Sequence, residues 1–130
     1  MSAKIPAVEA WVRKAENGFK NIRDSLRGGD PTWDTVCYHA QQGGEKYLKA
    51  CLIAQGIEPP RVHDLEELLT LCAVSDETLQ ALAADCAALS DYAVGVRYPG
   101  LHEPGETDGR SAVAAAERIR AAIRFRLSLS

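Results

Sequence analysis

Val8, Trp11, Ala15, Phe19, Ile22 and Leu26 recur at spacings of three and four, which predicts an amphipathic first helix. Arg13, Lys14, Lys20 and Arg23 occupy much of its remaining surface. Gly28-Gly29-Asp30-Pro31 then stops it, because glycine and proline both resist helical continuation. A second helix is expected from Thr32 to Gln55, with Gly56 as its stop and Trp33, Cys37, Ala40, Gly44, Tyr47 or Leu48, and Cys51 facing inward. Gly43 and Gly44 fall in its middle, each costing about 1 kcal/mol relative to alanine. That cost suggests close approach of another backbone, with simple tolerance of drift the competing account.

Ile57 to Val62 reads as a proline-bearing loop. Asp64 followed by Glu67 supplies a capping-box variant for a short helix over Leu65, Leu68, Leu69 and Cys72. A fourth helix is expected through Leu79, Leu82, Cys86, Leu89, Ala93 and Val96 in unbroken three-four alternation. A last helix follows Asp108-Gly109, with Val113, Ala116, Ile119, Ile123 and Leu127 inward. No strand-like alternation, internal repeat or linker interrupts this pattern. The expectation is all-α: one up-and-down bundle of four to five helices, a single domain over residues 1–130 with its core at about 7–126.

Composition agrees with a globular domain. Of 130 residues, 46% are hydrophobic, 25% charged and only 6% aromatic, a balance that favours helix over strand. The net charge of −3 argues against a dedicated nucleic-acid coat. The start, MSAKIPAVEA, carries no apolar signal region, and no apolar run approaches the roughly 18 residues of a membrane span. A cytoplasmic protein with no membrane partner is therefore expected. Cys37, Cys51, Cys72 and Cys86 include no C-x-x-C pair, and Cys37 and Cys51 stand about 21 Å apart along one helix, too far to bridge. They read as reduced core thiols rather than metal ligands, so no metal or cofactor is expected.

Charge isolates Arg97. From Asp64 to Asp108 there are ten acidic residues and a single Lys or Arg, which is Arg97. An arginine so placed is either paired to a carboxylate or held for an anion. It stands in the least helical stretch, Arg97-Tyr98-Pro99-Gly100-Leu101-His102-Glu103-Pro104-Gly105-Glu106, within a long irregular connection running to Gly109. Arg118, Arg120, Arg124 and Arg126 follow one another with no acid after Glu117, either as a basic face for phosphates or as a solubilising surface. Glu45 and Lys49 have the i,i+4 spacing of a modest helix-surface pair. His39 reads as a half-buried, hydrogen-bonded residue, and His63, just before Asp64, as one that positions the loop. Walker, H-E-x-x-H and G-x-S-x-G motifs are all missing.

Tyr38-His39-Ala40-Gln41-Gln42-Gly43-Gly44-Glu45-Lys46-Tyr47-Leu48-Lys49-Ala50, His63-Asp64-Leu65 and Arg97-Tyr98-Pro99 together resemble the HEPN family, in order and spacing, from about Ala7 to Arg126. The resemblance implies a helical bundle, a homodimer, and a minimal nucleotidyltransferase as a neighbouring antitoxin partner. It also implies a toxin-like, metal-independent endoribonuclease, because Arg97 and His102 fit an R-x4–6-H motif with four residues between them. On that reading His102 moves the proton while a ribose 2′-hydroxyl attacks the adjacent phosphate, and Arg97 holds the growing negative charge. Two motifs meet across the dimer. The competing expectation is a non-catalytic module that takes a nucleotide rather than RNA. There Arg97 with Lys46 or Lys49 binds a phosphate, or Tyr98 is modified by the nucleotidyltransferase. Glu45 is expected to orient Arg97.

Overall fold

Pro6 opens the first helix at the position where its missing N–H costs nothing. In the computed structural model, which describes residues 5–93 and 103–129, that helix is α1 (Pro6–Arg27). It is followed by α2 (Trp33–Ala54), α3 (Leu65–Ser75), α4 (Ala83–Leu89) and α5 (Glu106–Arg126). Two 3₁₀ turns, Glu77–Leu82 and Ser90–Tyr92, flank α4. Among the described residues there is no strand, and the expected all-α bundle is what the chain forms. No described helix is long and apolar enough to cross a membrane.

The centre of the bundle is α2. It packs against α1 on one side and α5 on another, with α3 also against it. The predicted stripe was therefore too narrow: Val36, Cys37, Ala40, Gln41, Gly43, Gly44, Glu45, Tyr47, Leu48, Lys49, Ala50, Cys51 and Leu52 are all buried. Both mid-helix glycines have a packing reason. A β-carbon on Gly43 would lie 2.7 Å from Phe19 Cε2, and one on Gly18 would lie 3.2 Å from the His39 carbonyl oxygen and 3.6 Å from the Gly43 Cα. The close backbone approach expected of Gly43 is thus made with Gly18 of α1. Gly44 instead receives side chains, with Leu65, Ile119 and Leu89 converging on the space a methyl would fill.

Gly56, at φ +81°, turns the chain out of α2, and its N–H and that of Ile57 close on Ile53 and Leu52 carbonyls. The loop then doubles back, so α3 begins beside the middle of α2. Leu65 meets Gly44, and the Cys72 thiol donates to the Leu48 carbonyl. Asp64 caps α3 as expected, accepting from the N–H groups of Glu66 at 2.9 Å and Glu67 at 3.4 Å. Replacing Asp64 with alanine leaves both donors without that acceptor, and a loss of about 1 kcal/mol is expected, read as a fall of roughly 4 °C in thermal melting.

Two expectations are corrected. The continuous fourth helix is split, with 3₁₀ winding through Leu82 and an α-turn after it. Leu79 and Leu82 stand three apart, which aligns them on a three-residue turn, and Asp76 caps that turn by accepting from the Thr78 N–H. Only beyond Leu82 do the spacings to Cys86 and Leu89 suit an α-helix. The last helix starts at Glu106, not after Gly109. Asp108 accepts from the Gly105 N–H at 3.0 Å and so closes the first turn, while Gly109 lies inside the helix beneath the Trp33 ring. All four cysteines are buried, as expected of core thiols.

Candidate functional site

The fold-back of the loop sets His63 over α2, where Gln41, Gln42, Glu45, Lys46 and Lys49 recur at spacings of three and four along one side of the helix. Glu45 is fully buried, Lys49 and Lys46 are 8% and 20% exposed, and the His63 ring is 67% exposed. Glu45 Oε2 takes the ammonium groups of Lys46 at 3.0 Å and Lys49 at 3.1 Å. Its Oε1 lies 2.9 Å from His63 Nδ1 and accepts more weakly from Gln41 Nε2 at 3.5 Å. The same Gln41 amide donates to the His63 carbonyl at 2.8 Å, and Gln42 bridges Gln41 to Lys46. Trp11 of α1 closes the side, its ring centroid 5.5 Å from Lys49 Nζ and 6.0 Å from Lys46 Nζ. The i,i+4 pair read as a surface contact is therefore the floor of a buried charged cluster.

Burial by itself would raise the Glu45 carboxyl, but hydrogen bonds from His63, Lys46 and Lys49 outweigh it and hold the group below its ordinary value. An ionised carboxylate can only accept, so His63 Nδ1 carries the hydrogen and Nε2 is the ring nitrogen left over. Two lysines against one glutamate leave the cluster with an excess positive charge, before any proton on His63. Sequence reasoning singled out Glu45, Lys46 and Lys49 but left His63 as a loop residue. The overlooked signal was the pairing of H-D-L with a helix carrying Glu45, which only the returning loop brings together.

The arginines of α5 pair with groups on other elements, and Arg118 does so while staying 61% exposed. Arg118 pairs with Asp85 at 2.8 Å and Arg126 with Asp76 at 2.7 Å. Arg120 grips Glu16 of α1 through two nitrogens, at 2.8 and 3.1 Å. Arg124 donates to the buried Tyr47 hydroxyl, which itself donates to Glu16. Burial, with Glu16 beside it, pushes the Tyr47 phenol up to about 12. These side chains tie α5 to α1, α2, α4 and the cap of the Glu77–Leu82 turn, rather than offering a basic face. His39 is half-buried, and burial lowers its imidazole. Among the described residues no group of three or more His, Cys, Asp or Glu is placed to hold a metal ion.

Arg97, Tyr98 and His102 lie outside the described residues, as do Val96 and most of the irregular connection. The expected contact between Glu45 and Arg97 falls there too. On the described side, each oxygen of Glu45 already has two partners.

A bundle built on one central helix, with a buried Glu-Lys-Lys cluster beneath a returning loop, is an all-α domain with a polar site in its wall. The chain belongs to the HEPN family, whose domain model matches residues 8–126. It is similar in structure to ST0689, an archaeal HEPN homologue, at 26% identity and a TM-score of 0.70, over 92% of this chain and 97% of that one. TT1696 from Thermus thermophilus shares the fold at 23% identity and a TM-score of 0.71, over 98% of this chain and all of the other. No curated protein matches the sequence.

Proposed function

We propose that this HEPN protein is a metal-independent endoribonuclease of toxin type, working as a cytoplasmic homodimer. The observation that carries the reading is the Arg97-x4-His102 motif, with four intervening residues, in a chain that belongs to this family. Engagement of the α5 arginines supports it, because those four cations are committed to carboxylates and a phenol within the bundle. In the proposed reaction His102 takes the proton of a ribose 2′-hydroxyl, and Arg97 meets the charge developing on the phosphate through its planar fork. The 2′-oxygen attacks phosphorus, the bond from phosphorus to the 5′-oxygen breaks, and that oxygen takes up a proton from the second imidazole at the dimer seam, leaving a 2′,3′-cyclic phosphate and a 5′-hydroxyl. The cognate antitoxin is a minimal nucleotidyltransferase.

The expected result is cleavage of total RNA by the wild type in EDTA, leaving cyclic-phosphate ends. His102→Ala drops the rate by two to four orders of magnitude, the usual contribution of a positioned proton-transfer group. Equal cleavage by both proteins would sink the assignment.

One observation favours a second reading, a nucleotide-binding module without catalysis: the excess positive charge of Lys46 and Lys49 over Glu45. It predicts a thermal shift with ATP or GTP, lost in Lys46→Ala, and no RNA cleavage.

A further inference from the structure

We infer that the outer face of α1 is a docking track for the backbone of an RNA strand, with Arg13, Lys20, Arg23 and Arg27 as its phosphate-contacting side chains. The inference rests on the ribonuclease reading above. A chain of net charge −3 that acts on a polyanion must hold it against its own field, which requires a local surface of opposite sign.

The first helix supplies that surface. Its inner side, with Val8, Ala15, Gly18, Phe19 and Ile22, is buried and packs against α2. Arg13, Lys20 and Arg27 stand seven residues apart, so they line up on the far side over about 21 Å, at about 1.5 Å of rise per residue. Arg23 is three residues from Lys20 and four from Arg27, which makes it their neighbour on the helix surface. All four are exposed, Lys20 at 70% and Arg27 at 77%. Asn17 and Asn21 are exposed beside them, and their amides also suit phosphate and sugar oxygens. The acids on this face are Glu9 and Asp24. Asp24 meets Lys20 and Arg27 at 3.6 Å each across exposed side chains, contacts too weak to commit either cation.

The balance of charge points to the same face. With Lys14, the five cations of α1 stand against Glu9, Glu16 and Asp24, which gives the helix +2 and leaves −5 for the rest of the chain. Cations elsewhere are committed. Arg110 and Arg118 are tied to Glu106 at 2.9 Å and Asp85 at 2.8 Å, and the other α5 arginines to Glu16, Tyr47 and Asp76. Lys46 and Lys49 are held by Glu45. Among the described residues, Arg61 is the one exposed cation outside α1 with no carboxylate on it, whereas α1 presents Arg13, Lys14 and Arg23 in that condition.

Other occupants fit this face less well. A lipid surface calls for apolar side chains beside the basic ones, and every exposed residue from Arg13 to Arg27 is polar. A second copy docking by the same face would set like charges opposite one another across the two-fold axis. Phosphate contacts carry no base information; they gather the strand and set its direction. The stripe therefore governs affinity for RNA and its salt dependence, and leaves the rate on a bound scissile bond alone.

The test uses the full-length protein in EDTA and a labelled 2′-O-methyl oligoribonucleotide, which has no 2′-hydroxyl to attack and so reports binding alone. Arg13→Gln with Arg23→Gln removes two exposed cations that belong to no ion pair, so the fold is retained, and an unchanged melting temperature checks this. Arg110→Gln with Arg118→Gln removes the same net charge from α5 and serves as the control. The α1 double variant binds about 20-fold more weakly at roughly 0.1 M salt, and its slope of log affinity against log salt is shallower by about 1.4, because each phosphate contact to a single strand contributes about 0.7. The control keeps the wild-type slope. On cleavable RNA the α1 variant raises KM and leaves kcat unchanged. Equal weakening in both variants, weakening in neither, or a wild type that does not bind the oligonucleotide overturns the docking face. Failure of the ribonuclease reading shows separately, as a wild type that cuts no cleavable RNA whatever it binds.

Discussion

Glu45→Ala lowers the melting temperature by about 10 °C, equivalent to about 3 kcal/mol for a domain of this length. The carboxylate is the common partner of Lys46, Lys49, His63 and Gln41. Removing it leaves Lys49, 8% exposed, as a charge with neither a counterion nor ready access to water. Breaking such a pair by deleting one member costs about 3–5 kcal/mol. The low end is expected because Lys46 is 20% exposed and the His63 ring faces solvent. Differential scanning calorimetry at neutral pH measures the shift, and a fall of less than about 2 °C would mean that the lysines reach water unaided.

The acid side adds a sign that can be checked. The folded-state pKa of Glu45 lies below its ordinary value of 4.5. Its stabilisation is therefore fully present above about pH 4.5 and is lost as pH falls through the folded value. Glu16, held low by Arg120 and Tyr47 against the effect of burial, acts in the same direction. Glu45→Gln starts from a lower melting temperature and loses less of it on acidification than wild type does. Parallel curves for the two proteins would remove Glu45 from the account.

Gly43→Ala destabilises by about 2 kcal/mol net. A methyl there would stand 2.7 Å from Phe19 Cε2 and 3.1 Å from Cζ, and Phe19 is only 1% exposed, with Tyr47 and Arg120 against its ring. Relief requires α1 to move away from α2, but Gly18 already brings the two backbones together at His39 and Gly43. Overpacking of this kind costs about 1–3 kcal/mol, and the gain in helix propensity of about 1 kcal/mol offsets only part of a cost near the upper end. Urea unfolding reads the change as a lower midpoint at unchanged slope. A variant as stable as wild type would show that the interface between α1 and α2 yields easily.

Much of the frame was legible in the chain. Spacings of three and four located α1 and α2 to within a residue or two, and the start of α3, because each is bounded by a strong local signal: Gly28, Gly56 or the Asp64 cap. The stretch from Leu79 to Val96 was read as one helix because the Leu79–Leu82 spacing of three suits a 3₁₀ turn and an α-helix alike. The start of α5 was placed late because Gly109 looks like a breaker until Trp33 is found lying over it.

The candidate site divides the same way. The sequence by itself determined an all-α bundle, the membership of Glu45, Lys46 and Lys49 in one helix, and the four-residue spacing between Arg97 and His102, since these depend on neighbours along the chain. Only the tertiary structure decided that Glu45 is buried, that His63 caps it, and that the α5 arginines are bound to carboxylates and a phenol on other elements. Helical periodicity says which residues share a face and nothing about which distant segment covers it. Desolvation and ion pairing, which turn a surface pair into a buried cluster, are set by contacts between residues as far apart as 45 and 63, or 16 and 120.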